Sequence, residues 1–191
     1  MLHISPSHHF PTGIVTPVSR RRELLDWANR GEKWIIEDDY DSEFRFDAHP
    51  VPAMQSLDDG GRVIYMNSFS KSLAPSIRIS YMVLPAGLMA AFQQKLGFYS
   101  CTVPSFEQYT LARFLTRGFF EKHINRMRKF YKNRRNAVVS LLEKCSFSHK
   151  LTIQEQDAGL HFLLNVDTSL SDQSLTEKLA ALGIRVRALS S

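Results

Sequence analysis

Cysteine is scarce in this sequence, which carries only Cys101 and Cys145 among its 191 residues. Two cysteines cannot build a disulfide framework or a cysteine-rich zinc site, and they are typical of reduced thiols in a cytoplasmic protein. No apolar run approaches the roughly 18 residues that a membrane-spanning helix needs. The N-terminal letters MLHISPSHHF show no charged segment followed by an apolar one, so no signal peptide is predicted. The sequence therefore predicts a cytoplasmic protein without membrane contact.

Glycine and proline are also sparse, with nine and eight residues. These numbers exclude a collagen-like chain or a flexible linker. Hydrophobic residues make up 43% of the chain and charged residues 23%, which is ordinary globular usage and excludes a disordered chain. The length suits one large domain or two small ones with a real core.

Positive charge is concentrated in one segment, from Arg117 to Arg135. Eight basic residues and one acidic residue give it a charge of +7, whereas the whole chain carries +5. Apolar residues recur there at three- and four-residue spacing, which predicts a long amphipathic helix with a basic face, ending near Cys145. A solvated helix face is the simpler interpretation, and contact with phosphate or nucleic acid is the alternative.

Strand and helix signals alternate in the first half of the chain. A helix capped by Ser19 and stopped by Gly31 precedes three predicted strands, in WIIED, RVIYM and SIRISYMVLP. This order predicts an α/β fold with a mostly parallel sheet. In the second half we predict the long helix, strands in LTIQEQ and GLHFLLNV, a helix in SDQSLTEKLAALG and a last strand in IRVRAL.

Five acidic residues follow the first predicted strand, within the letters IIEDDYDSEF. This is the strand end at which open α/β sheets bind ligands. A calcium loop of the EF-hand type is excluded because the required glycine is absent, and strand alternation would point adjacent carboxylates in opposite directions. We expect a solvated acidic loop for most of these side chains and no metal site. They are Glu37, Asp38, Asp39, Asp41 and Glu43.

Lys71 lies among Ser68, Ser70 and Ser72, just after the second predicted strand. Ser68 and Lys71 also match the S-x-x-K pattern of β-lactamases, but the K-T-G and S-D-N partners of that pattern are missing. A lysine in a serine-rich loop is by itself usually solvated and inert.

A carboxylate at one strand end and Lys71 at the next together fit pyridoxal phosphate chemistry. The lysine amine forms a Schiff base with the aldehyde, and a carboxylate pairs with the protonated pyridine nitrogen. Arg78 lies seven residues after Lys71, and arginine binds phosphate through two charge-assisted hydrogen bonds.

Four segments resemble, in this order, the aminotransferase-like domain of MocR-type regulators, a branch of the GntR transcription factors. They are SPSHHFPTG, IIEDDYDSEF, VIYMNSFSKSLAPSIRISYMVLP and AGLHFLL. The resemblance implies part of a fold-type I, pyridoxal phosphate-dependent transferase of class I/II. Residues 1–116 would be the C-terminal part of the cofactor-binding large domain, residues 117–145 the inter-domain helix, and residues 146–191 the beginning of an α+β small domain.

The resemblance also implies roles for individual residues. Phe10 stands where true aminotransferases carry an asparagine that contacts the ring hydroxyl, which favours the regulator branch. Lys71 would form the internal aldimine with pyridoxal 5'-phosphate. The other contacts implied are Asp38 to the pyridine nitrogen, Tyr40 to the ring hydroxyl, and Ser68, Ser70 and Arg78 to the phosphate.

In function, the chain is thus expected to be a fragment: the effector domain of a regulator that senses an amino compound through the Lys71 Schiff base. The intact protein would be a homodimer with weak or no transaminase turnover. It would contact DNA through a winged helix-turn-helix domain that this chain lacks. A fragment of a class I/II aminotransferase is the alternative. A non-functional truncated product is a third interpretation, which predicts a poorly soluble or partly unfolded chain.

Overall fold

The computed structural model describes residues 1–46 and 51–189 of the chain. Its larger sheet has four strands in the order β1 to β4, namely Leu2–Ile4, Ile35–Asp38, Val63–Ser68 and Ser80–Val83. The first three strands are parallel, and β4 runs antiparallel to β3. The predicted α/β fold with a mostly parallel sheet is therefore confirmed.

The first, the long and the last predicted helix are present, with a second, two-stranded sheet near the C-terminus. The strands β5 and β6 of this sheet, Leu151–Gln154 and Leu163–Val166, are antiparallel. Two short 3-10 turns cover Gln55–Leu57 and Ser148–Lys150. The α-helices α1 to α6 are Val18–Arg30, Phe69–Ser72, Ala86–Leu96, Ser105–Thr116, Phe119–Lys144 and Asp172–Ala181. No helix in the described ranges combines the length and apolar character needed to cross a membrane.

Two expectations about local structure are wrong, and one strand has no counterpart in the sequence predictions. The first helix begins at Val18 behind Pro17, so Ser19 lies inside the helix and caps nothing. The strand Leu2–Ile4 was not predicted, because three residues carry little periodicity and the strand is defined by its pairing with β2. The segment 184–188 is irregular instead of a strand, since no other strand of the described chain pairs with it.

The core lies between α1 and the parallel strands. Leu25 and Ala28 on α1 are buried against Ile35, Met54 and Val63. The buried positions of α1 are separated by three and four residues, as expected of an amphipathic helix. Burial alternates along β2, where Ile35 and Glu37 are buried and Ile36 and Asp38 are half-buried.

Two arginines of α5 donate hydrogen bonds to loops that lie before and after this helix in the chain. Arg128 Nε donates to the Glu43 carbonyl at 2.9 Å, and Arg135 Nη1 donates to the Gln156 carbonyl at 2.9 Å. The ring of Tyr131 packs edge-on against Phe44 with centroids 5.3 Å apart. The expectation of a purely solvated basic face is thus wrong for these arginines, because each reaches a carbonyl on another segment.

Arg21 and Glu37 form a fully buried pair of charges at the centre of the first half. Arg21 donates to the carbonyls of Pro6, Thr16 and Pro52 at 2.7, 2.9 and 2.9 Å. Glu37 accepts from two backbone N–H groups of the turn after Ala53, at 2.7 and 2.8 Å, and lies 3.8 Å from the guanidinium. Burial lowers the pKa of Arg21 and raises the pKa of Glu37, while the opposite charge of each partner resists both changes.

We expect Arg21→Leu to lower the free energy of unfolding by about 3–5 kcal/mol, because it leaves the Glu37 charge buried without its cation. Urea denaturation at neutral pH measures the change. The control is Arg20→Leu on the exposed face of α1, where the ion pair with Glu23 is solvated and the loss should stay below about 1 kcal/mol. Equal losses in the two variants would contradict the central role of Arg21.

Candidate cofactor site

The acidic segment at the end of β2 is largely buried, which corrects the expectation of a solvated loop. Asp39 and Asp41 are buried, whereas Asp38 is half-buried with 35% of its side chain exposed. Asp38 Oδ2 lies 3.5 Å from His3 Nε2 on the neighbouring strand β1. The expected alternation is confirmed, because Glu37 faces Arg21 whereas Asp38 stays accessible on the other face of the pleat.

A hydrogen-bonded network lies behind this segment. Asp39 Oδ2 accepts from Tyr65 Oη and Ser42 Oγ, both at 2.7 Å. Asn67 Nδ2 donates to the Tyr65 hydroxyl at 3.1 Å and reaches Glu43 Oε1 at 3.5 Å. Burial raises the pKa of Tyr65 and raises the pKa of Glu43 to about 6. The network fixes the backbone that carries Asp38.

Tyr40 carries a buried hydroxyl that has no hydrogen-bond partner in the part of the chain that the structure describes. Burial raises its pKa, and the charges of Asp41 and Asp38 raise it further. Its ring lies 6.3 Å from the ring of His8. Because buried hydroxyls in proteins are almost always paired, this hydroxyl is suited to a group that the chain alone does not supply.

The end of β3 carries the serine and lysine motif. Ser68, the last residue of the strand, caps α2 by accepting the Ser70 N–H at 3.2 Å. Ser70 Oγ donates to the Ile77 carbonyl at 2.8 Å and accepts from Arg78 Nη1 at 3.5 Å. Three side chains assigned to phosphate from the sequence therefore lie together beside α2.

Lys71 lies on α2 with its side chain exposed. Its amine forms no hydrogen bond or ion pair within residues 1–46 and 51–189, so it is available for reaction. Burial lowers the pKa of His161 most, His8 and the charge of Lys71 lower it further, and Asp41 raises it.

These residues fit pyridoxal phosphate. The chain offers a free amine for the aldehyde, an accessible carboxylate for the ring nitrogen, an unpaired hydroxyl for the ring hydroxyl, and two serines with an arginine for the phosphate. The fold is that of the fold-type I, pyridoxal phosphate-dependent transferases.

Comparison with protein families agrees with this class. The family of aminotransferases of class I and II matches residues 1–191. The chain belongs to this family.

Its relatives include bacterial transcriptional regulators. The chain is 42% identical to the uncharacterized HTH-type transcriptional regulator YdeL of Bacillus subtilis, over 100% of this chain and 41% of the regulator. It is 37% identical to the probable rhizopine catabolism regulatory protein MocR of Rhizobium meliloti, over 100% of this chain and 38% of that protein. The chain thus spans about two-fifths of the length of these relatives.

Solved structures of aminotransferases share the fold. The kynurenine aminotransferase of Pyrococcus horikoshii is 30% identical and superposes with a TM-score of 0.81, over 96% of this chain and 46% of that chain. The α-aminoadipate aminotransferase LysN of Thermus thermophilus is 26% identical with a TM-score of 0.79, over 97% of this chain and 48% of that chain. The first was solved with PMP and the second with N-(5'-phosphopyridoxyl)-L-leucine, which supports the cofactor assignment.

Sequence reasoning missed two histidines beside the candidate site, His8 and His161. His8 Nδ1 is 2.8 Å from Asp41 Oδ2, and the two histidine rings lie 4.1 Å apart. The one hint in the sequence that His161 has a role was its place as a polar residue inside the apolar run GLHFLL. No spacing rule connects residues so distant in the chain.

Gly159 packs directly against the His8 ring. A Cβ on Gly159 would lie 1.9 Å from His8 Cε1 and Nδ1, and the residue has a φ of +71°. Gly183 has a φ of +81° but no atom within 4 Å of such a Cβ. An alanine at Gly183 would therefore cause only the backbone strain of a positive φ, about 1–2 kcal/mol. An alanine at Gly159 would cause the same strain and also the clash with His8.

We expect Gly159→Ala to lower the free energy of unfolding by about 1–3 kcal/mol more than Gly183→Ala does, since the added methyl group overpacks the histidine. Urea denaturation of the two variants, side by side, measures the difference. Equal losses would show that His8 moves aside without cost.

The buried Glu43 carboxyl predicts a pH effect on stability. Its pKa in the folded state is about 6 against 4.5 for an ordinary glutamate, so the folded state holds the proton more tightly. The free energy of unfolding should fall by about 2 kcal/mol in total as the pH rises from well below 4.5 to well above 6.

Glu43→Gln should remove this contribution and stabilise the protein at pH 7 while changing little at pH 4. Unfolding curves at several pH values test it, with Glu143→Gln on the exposed face of α5 as the control. An unchanged pH profile in Glu43→Gln would disprove the assignment.

Proposed function

We propose that this chain binds pyridoxal 5'-phosphate through Lys71 and is the effector domain of a transcription regulator that senses an amino compound. The observation that carries the proposal is the free Lys71 amine on α2, beside the linked Ser70 and Arg78. The motif set and the regulators among the relatives support the regulatory assignment over a purely metabolic one.

Each residue has one role in the proposal. The cofactor, when bound, supplies an aldehyde that a primary amine attacks and a ring that accepts electrons. Lys71 presents the amine, and Asp38 holds the proton on the ring nitrogen. Tyr40 satisfies its buried hydroxyl by bonding to the ring hydroxyl. Ser68, Ser70 and Arg78 hold the phosphate.

Sensing follows from competition between two amines for the same aldehyde. An amino compound that displaces Lys71 must bind one conformation of the protein better than another in order to shift its population. Arg128 and Arg135 on α5 join the loop after β2 to the segment between β5 and β6. We propose that a change beside Tyr40 is transmitted through these contacts to a helix-turn-helix domain and a second subunit of the intact regulator.

Lys71→Ala should abolish the covalent attachment of pyridoxal phosphate, because the amine is lost. Borohydride reduction followed by mass spectrometry of the peptides detects the lysine-linked cofactor. The control is Lys95→Ala on the exposed face of α3, which should keep the attachment. In the intact regulator, the Lys71 variant should also lose the response of DNA binding to the amino compound. A cofactor–peptide adduct at another lysine would overturn the proposal.

A second variant tests the contact between Arg78 and the cofactor phosphate independently of Lys71. Arg78→Ala should weaken pyridoxal phosphate binding by about 10- to 100-fold, since a charge-assisted hydrogen bond is lost. It should leave the binding of pyridoxal, which has no phosphate, unchanged. Steady release of an oxo acid with many turnovers per chain would instead favour the aminotransferase alternative, which the solved aminotransferase structures also support.

A further inference from the structure

Three side chains from distant segments converge beside the cofactor site. His8 follows β1, Asp41 follows β2 and His161 precedes β6. The side chains of His8 and Asp41 are 0% and 2% exposed, and His161 is half-buried. The residues are separated by 33 and 120 positions along the chain, so only the tertiary fold brings them together. The cofactor proposal uses none of them.

Both histidine rings leave a nitrogen unpaired. His8 Nε2 and His161 Nε2 are buried and have no hydrogen-bond partner in the described part of the chain. A buried polar atom without a partner costs about 1–3 kcal/mol. His8 Nδ1 is 2.8 Å from Asp41 Oδ2, so an ion that binds both side chains would take the place of this hydrogen bond. The unpaired Nε2 of the His161 ring, which lies against the His8 ring, is therefore suited to a ligand that accepts a lone pair.

The spacing suits a small cation. One donor atom from each of the three residues lies within 4.8 Å of the other two. Bonds of about 2.0–2.1 Å to a tetrahedral ion place its donors about 3.3 Å apart. Binding would therefore bring the donor atoms up to about 1.5 Å closer together than they are in the metal-free chain. Two imidazoles and one carboxylate select a transition metal over Mg²⁺ or Ca²⁺, which prefer all-oxygen ligands.

We propose that His8, Asp41 and His161 bind one divalent transition-metal ion, with Zn²⁺ as the probe. The ion would tie the segment after β1, the acidic segment after β2 and the strand region of the second sheet into one unit. A fourth position would stay open, as in zinc sites with three protein ligands. None of its three residues is among those assigned to pyridoxal phosphate, although His8 neighbours Tyr40.

The test is a zinc titration of the intact protein, freed of metal by a chelator and of cofactor by dialysis. Isothermal titration calorimetry should show saturable binding of one Zn²⁺ per chain. His161→Phe keeps a ring against His8 and Phe10, and Asp41→Asn keeps the shape of the carboxylate. Each should weaken zinc binding at least about 100-fold, because ligand loss exceeds the 10- to 100-fold effect of outer contacts. His149→Phe, at an exposed histidine, should bind as the wild type does.

Two further readouts keep the outcome clear. X-ray absorption at the zinc edge of the loaded wild-type protein should show histidine nitrogen ligands. The melting temperature should rise with zinc in the wild type and in His149→Phe, but not in His161→Phe or Asp41→Asn. The proposal is overturned if no saturable binding occurs, if His161→Phe binds as tightly as His149→Phe, or if the absorption spectrum lacks nitrogen ligands. Lys71→Ala should bind zinc normally. The zinc result can therefore be told apart from a failure of the cofactor proposal.

Discussion

The buried pair of Arg21 and Glu37 is the constraint on which the first half of the molecule depends. Arg21 gathers three backbone carbonyls from the segments after β1, before α1 and before the 3-10 turn. Glu37 holds the first N–H groups of that turn. Two charges removed from water are stable only when such contacts surround them. The pair therefore determines how α1 lies on the sheet.

The same pair also determines which side chains reach the candidate site. Because residues alternate along a strand, placing Glu37 toward α1 leaves Asp38 on the opposite face of the pleat. The parallel pairing of β2 with β3 then brings Asp38 and the Ser68–Lys71 motif to the same edge of the sheet. The antiparallel strand β4 returns the chain so that Arg78 meets Ser70. A polar site thus arises from pairing and alternation, with few contacts among its own members.

The helix α5 and the histidine cluster join the parts that carry the site. Arg128 and Arg135 bind carbonyls of segments that lie on both sides of the helix in the chain. The His8 and His161 rings lie against each other where those segments meet, beside Tyr40. A bound cofactor, the proposed metal ion and α5 therefore share one small region. A change in any of them has a short physical path to the others.

The sequence by itself determined the order of the elements, the α/β fold and the family, because long motifs and periodic patterns are local. It also pointed to Lys71, Asp38, Tyr40, Ser68, Ser70 and Arg78, whose roles remain predictions. The tertiary structure alone decided the strand at Leu2–Ile4, the irregular segment 184–188 and the burial of Asp39 and Asp41. It alone brought His8 to His161. These features depend on partners far away in the chain, and a pattern of neighbouring residues carries no record of such partners.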